Sequence, residues 1–183
     1  TDTSLTDRIA EGLMISVRDA AQVAVKDPEN YEARATLMWA GSLSHNGLTG
    51  AGRVSDFATH KIEHELGGMF DVAHGAGLAS VWGSWARYVM DEKPERFAQF
   101  AVNVMGVEEC EDIKATAIKG IEAVEDFYRE IEMPTNLKEL GIDPTDEQIK
   151  DMAMKATNHD TQQLGAFKKL SAKDLVEIYK TAK

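Results

Sequence analysis

Three of the five histidines in the chain, His60, His64 and His74, fall within fifteen residues of one another. The run His60-Lys-Ile-Glu63-His64 sets two imidazoles at positions i and i+4, which on a helix share one face with Cβ atoms about 5 to 6 Å apart. Glu63 sits beside them. Neutral imidazole is the commonest metal ligand among side chains, so this pair can act together on one cation. His74 is a different case. A continuous helix would carry it about 21 Å from His60 at 1.5 Å per residue, whereas a shared metal needs bonds of roughly 2 Å. A chain reversal must therefore bring them together. Gly67-Gly68 supplies a break and Asp71 to Gly75 suits a helix start, so the spacing predicts a helical hairpin with histidines on facing sides. Glu63, Glu65 and Asp71 are acids able to orient the imidazoles from behind. A single buried histidine is more often a hydrogen-bonded core residue, but three on abutting segments with acids beside them favour a metal site. On spacing alone, His60-x-x-Glu63-His64 also matches the His-x-x-Glu-His signature of inverted zinc metallopeptidases. There His60 and His64 would hold zinc and Glu63 would be the general base. Five residues make a short motif, frequent by chance.

The elements that must position these residues are all helical. Ile9, Leu13, Val17, Ala20 and Ala24 recur at helical spacing, predicting a first helix over roughly 4–25, with Asp27-Pro28 ending it and opening the next. Tyr31, Ala35, Met38 and Ser42 continue helically to Asn46-Gly47, a left-handed cap. After a Gly-rich loop over 47–54, Ser55 can cap a third helix that carries His60 and His64 and stops at Gly67-Gly68. A fourth follows His74-Gly75 to about Asp91, and Pro94 opens a short one ending near Gly106. A longer helix covers about 110–131, and Pro134 breaks the chain. Thr145-Asp-Glu-Gln148 is a capping box, and Ser171 starts the last helix. No window alternates like a strand. The expectation is one all-α domain over 1–183 with seven or eight helices, without internal repeat or low-complexity tract. Trp39, Trp82, Trp85 and the methionines are read as core, and the charge on the 107–130 helix as a solvated face.

Composition narrows the partners. The 183 residues carry a net charge of -11 with the acids spread along the chain, which repels phosphate backbones and argues against nucleic acid. No stretch approaches the roughly 20 apolar residues of a membrane span. Asp2, Asp7, Arg8, Glu11, Arg18 and Asp19 speak against a signal peptide, so neither leader nor anchor is expected. Cys110 is the only cysteine, which excludes an intramolecular disulfide, fits a reducing, cytoplasmic setting, and is read as an inert or buried thiol.

Taken together, Asp7-Arg-Ile-Ala-Glu-Gly12, Asp27-Pro-Glu-Asn-Tyr-Glu-Ala-Arg34, Leu37-Met-Trp39, Asn46-Gly-Leu48 and His60-Lys-Ile-Glu-His-Glu-Leu66 carry a resemblance to a known family. Asp71-Val-Ala-His-Gly-Ala-Gly-Leu-Ala79, Phe97-Ala-Gln-Phe100, Met133-Pro134 and Leu137-Lys-Glu-Leu-Gly141 extend it. Nearly the whole chain resembles the C-terminal helical part of the iron-containing alcohol dehydrogenases, in their butanol-dehydrogenase-like branch, with a dehydroquinate-synthase-like fold. The resemblance implies one divalent metal, Fe2+ or Zn2+, held by an aspartate, a histidine three residues after it, and two further histidines fourteen residues apart, which His60 and His74 match. His64 matches an additional active-site histidine that is usually not a ligand and serves proton relay. The implied chemistry is hydride exchange between a primary alcohol or aldehyde and NAD(P)(H), with the metal as Lewis acid.

The family's aspartate and first histidine ligands, and its nucleotide-binding domain, precede the stretch that matches Asp7 to Gly12. The chain is thus expected to be a fragment of a longer enzyme, inactive alone and forming homo-oligomers. Gly67-Gly68 departs from the small polar residue or alanine of relatives. A non-catalytic helical oligomerisation or binding module is the alternative, and the zinc peptidase ranks below it.

Overall fold

A computed structural model describes residues 3–183. Thr1 and Asp2, the latter counted above among the early charges, lie outside the described residues. The elements run α1 (Ser4–Lys26), α2 (Tyr31–His45), α3 (Ala58–Phe70), α4 (His74–Val89), α5 (Pro94–Asn103), α6 (Ile113–Glu130), α7 (Asp146–Ala156) and α8 (Ala172–Thr181). Short 3-10 turns cover Leu48–Gly50 and Met90–Glu92. Among the described residues there is no strand, only a lone antiparallel bridge between Leu164 and Leu170. The all-α expectation with its eight helices stands. No helix among the described residues is long and apolar enough to cross a membrane.

Local chemistry sets most of the ends. Thr145 and Gln148, and Ser171 and Asp174, close reciprocal capping boxes ahead of α7 and α8, each satisfying two otherwise orphaned donors. Gly47 turns left-handed after α2 at φ +87°, as Asn46-Gly47 predicts. Four helix ends differ. α2 starts at Tyr31 rather than Pro28, because the Asn30 side chain accepts from Ala33 N and caps it there. α6 starts at Ile113 under an Asp112 cap. α3 is not capped by Ser55: Asp56 accepts from Ala58 N instead, and the helix then runs straight through Gly67-Gly68 to Phe70. Two helical glycines cost about 1 kcal/mol each, but they remove no backbone hydrogen bond, so the stop falls to Asp71, left-handed at φ +53°. Aspartate tolerates that conformation better than most residues.

The main core lies where α3, α4, α7 and α8 meet. Ile62, Leu66, Val81, Ile149, Met152, Leu175, Ile178 and Tyr179 are fully buried there. The Tyr179 hydroxyl donates to Ile62 O at 2.6 Å, tying α8 to α3. Because Ile62 and Leu66 turn inward, a helical period turns His60 and His64 to the opposite side. Trp82 and Trp85 pack half-buried against this core, Trp82 between Phe100 and Tyr128 and Trp85 against Phe97. Trp39 does not. It is 66% exposed and Met38 76%, contrary to the expected core role. Ala33 and Ala40 are the buried residues of α2, so its small-residue face meets α1 and its bulky face, with Tyr31, points outward. Periodicity identified a stripe but not the side that is covered.

Candidate metal centre

The hairpin forms, with its reversal at Asp71 to Ala73 instead of at the glycine pair. α3 presents His60 and His64, and His74 is the first residue of α4. Together they bring one ligand nitrogen each to within 4.8 Å of the others. The rings of His60 and His74 stack at 5.3 Å between centroids, and His64 lies 5.5 Å from His74 and 6.3 Å from His60. Around a tetrahedral ion with bonds of ~2.1 Å, ligand nitrogens stand ~3.4 Å apart. Small side-chain rotations close that gap on two exposed rings and one half-buried ring. Imidazole is a suitable ligand for both zinc and iron.

His60 is the most enclosed of the three. Burial, then the neighbouring His74 and His64, hold it below the usual imidazole range, which favours the neutral form that coordinates. Phe57, exposed at the start of α3, lies against its ring at 5.0 Å.

Of the three acids considered as orienting groups, the structure brings one to the cluster. Glu63 is 1% exposed, and its Oε2 is hydrogen-bonded with Nδ1 of His74. Glu65 lies instead on the side of Tyr179 and Lys155, and Asp71 makes the turn. Gly77 was missed as part of the site. A Cβ there would stand 2.7 Å from Cγ and from Oε1 of Glu63, far inside contact distance. The signal was present in Gly75-Ala-Gly77, two glycines opening a helix, a pattern that propensity disfavours unless something packs closely.

One turn ahead of His60, an open cleft of about 1060 Å3 is lined by Thr3, Thr49, Arg53, Asp56, Lys93 and Phe167 among others. Asp56 also accepts from the backbone N–H groups of Ala166 and Phe167 at 2.8 Å, so the loop ahead of α8 is tied to the mouth of the histidine hairpin.

Residues 1–183 match the family model described as Fe-containing alcohol dehydrogenase family, C-terminal. The chain is 35% identical over 182 residues to the probable NADH-dependent butanol dehydrogenase 1 of Bacillus subtilis, covering 99% of this chain and 46% of that protein. It is 32% identical over 182 residues to the NADPH-dependent aldehyde reductase YqhD of Escherichia coli, covering 100% of this chain and 46% of that protein. The crystal structure of NADH-dependent butanol dehydrogenase A from Thermotoga maritima superposes with a TM-score of 0.90 at 32% identity, over 100% of this chain and 47% of that one. The chain spans about half the length of the curated relatives it matches.

Proposed function

The chain belongs to the Fe-containing alcohol dehydrogenase family, and on that premise we propose that residues 1–183 are the helical metal-holding domain of an enzyme interconverting primary alcohols and aldehydes with NAD(P)(H). His60 and His74 hold a divalent cation, iron or zinc. The single observation carrying this reading is the meeting of three imidazole nitrogens within 4.8 Å from two facing helices. When bound, the metal supplies a Lewis acid for the substrate oxygen and the nicotinamide the hydride donor or acceptor. His60 offers a neutral nitrogen. His64, exposed one turn further along α3, takes the hydroxyl proton in oxidation and returns it in reduction. The nucleotide falls to a segment outside these residues, since among the described residues no strand precedes a Gly-rich phosphate loop. Homologues named for NADH and for NADPH support the cofactor class without separating the two. A cytoplasmic setting goes with this reading, in keeping with a lone cysteine.

The peptidase reading gains little from the geometry, because the Glu63 carboxylate is enclosed and engaged by His74 rather than open to a metal-bound water. Association between copies is favoured by one observation, the exposed Tyr31, Met38 and Trp39 on α2, and it is compatible with the metal reading.

The test is elemental analysis of the protein purified without chelators, alongside His60→Ala and His74→Ala, with intact mass recorded near 20.1 kDa. Bound metal lost in both variants is expected. Metal that survives both substitutions, or none in the unmodified chain after exposure to Zn2+ or Fe2+, would sink the assignment.

A further inference from the structure

We infer that Glu63 is a positioning residue that fixes His74 as the Nδ1–H tautomer, and that position 77 is glycine to make room for that carboxylate. The inference rests on the metal-holding reading above for its purpose, but not for its geometry.

The side chain of Glu63 is 2% exposed while that of His74 is 53% exposed, so the acid is anchored and the imidazole is the group being aimed. Among the described residues His74 is the only hydrogen-bond partner of the Glu63 side chain. Enclosing a carboxylate against one neutral imidazole is unfavourable, since a single hydrogen bond replaces a full hydration shell. The balance changes when the other nitrogen of that imidazole holds a cation, because the positive charge then offsets that of the carboxylate across the ring. With Nδ1–H committed to Glu63, the free lone pair of His74 is on Nε2, the nitrogen left to converge with those of His60 and His64. An imidazole that flipped its proton to Nε2 would present an N–H to the cluster and could not coordinate there.

Gly77 secures the arrangement sterically. It is buried on α4, three residues after His74, directly against the Glu63 side chain. An alanine methyl would displace the carboxylate from its place behind His74. At Gly67, one helical turn after Glu63, a Cβ would stand 3.4 Å from Oε1, an ordinary contact, so the steric demand falls on Gly77.

The experiment is long-range 15N–1H spectroscopy of the imidazoles in the uniformly labelled chain, metal-free at a pH of about 8, for the unmodified protein, Glu63→Met and Gly77→Ala. Expected is His74 as Nδ1–H in the unmodified protein, shifting toward Nε2–H in both variants. His74 found as Nε2–H at the outset, or unmoved by Glu63→Met, overturns the inference. Gly77→Ala keeps the acid, so it decides the matter should Glu63→Met fold poorly. Titration with Co2+, followed by its visible absorption, should show binding about 10- to 100-fold weaker in Glu63→Met. Equal affinity also overturns the inference. An unmodified chain that bound no Co2+ would bring down the metal reading, while the tautomer spectra would still decide the role of Glu63.

Discussion

Asp7 on α1 grips both terminal nitrogens of Arg96 on α5, with Nη1 donating to Oδ2 at 2.6 Å and Nη2 to Oδ1 at 2.9 Å. Arg53, in the loop ahead of α3, donates to the same carboxylate at 2.6 Å. One acid 9% exposed thus joins three segments separated widely in sequence, and one of them leads within seven residues to His60. Asp7→Asn keeps the shape but leaves two guanidinium groups short of a countercharge. A loss of roughly 2 to 4 kcal/mol is expected, at the lower end of values for buried pairs because both arginines keep some exposure. Urea denaturation measures it, and a change under about 0.5 kcal/mol would show that the contact is ornamental.

The same contact predicts behaviour in acid. Chiefly the Arg96 hydrogen bonds hold the Asp7 carboxyl at about 2, below its ordinary 3.8. A depressed carboxyl contributes stability that is complete above the ordinary value and disappears as pH falls through the depressed one. The unmodified chain should therefore lose an increment of stability between pH 3.8 and about 2 that Asp7→Asn never had. Parallel pH profiles of the two proteins would refute this.

His60 predicts a second window, nearer neutrality. Its imidazole is held below its ordinary 6.5, so the unfolded chain binds the proton more readily than the fold does. Stability is then intact above 6.5 and falls as pH drops below it. His60→Gln should flatten that part of the melting-temperature profile. Divalent metal should raise the melting temperature at neutral pH and lose that effect in the same acid range, because protons and metal compete for one nitrogen. An acid-independent rise on adding metal would point to binding elsewhere.

How much of this was readable beforehand depends on what each signal measures. Helix ends fixed by a local hydrogen bond, such as the boxes at Thr145 and Ser171, were legible because donor and acceptor are three residues apart. The histidine cluster was legible too, since i, i+4 spacing and a forced reversal constrain geometry. The site of the reversal was not: Gly67-Gly68 looks like a break, yet glycine only weakens a helix, and the acid at 71 accepts the left-handed turn. Nor was the role of Asp7 visible, because its partners lie 46 and 89 positions away. Nothing in a helical stripe tells which face meets a neighbour, as Trp39 shows.

That last point is testable as a contrast. Trp39→Ala removes a large side chain that is 66% exposed, and should change the stability of the monomer by less than about 0.5 kcal/mol. Leu175→Ala removes a smaller one that is fully buried in the core where α8 packs on α4 and α7, and should cost about 2 to 5 kcal/mol through lost burial and the cavity left behind. Comparable losses in the two variants would mean that the outer face of α2 is covered in solution, and sedimentation at several concentrations would then reveal by how many copies.

Glycine supplies a second contrast, in which the same substitution should have opposite signs. Gly120 lies where α6 crosses α5, and a Cβ there would fall 2.3 Å from the Ala101 methyl and 2.9 Å from its Cα. Backbone cannot step aside as a flexible side chain can, so Gly120→Ala must pry the helices apart at a cost of about 1 to 3 kcal/mol. Gly12 sits within α1 with open space where its Cβ would be. There, alanine only restricts the unfolded chain and favours the helix, a gain of roughly 0.5 to 1 kcal/mol. Thermal unfolding of both variants separates the effects. If Gly120→Ala proved neutral, α5 and α6 would have to cross further apart than the contact between Gly120 and Ala101 requires.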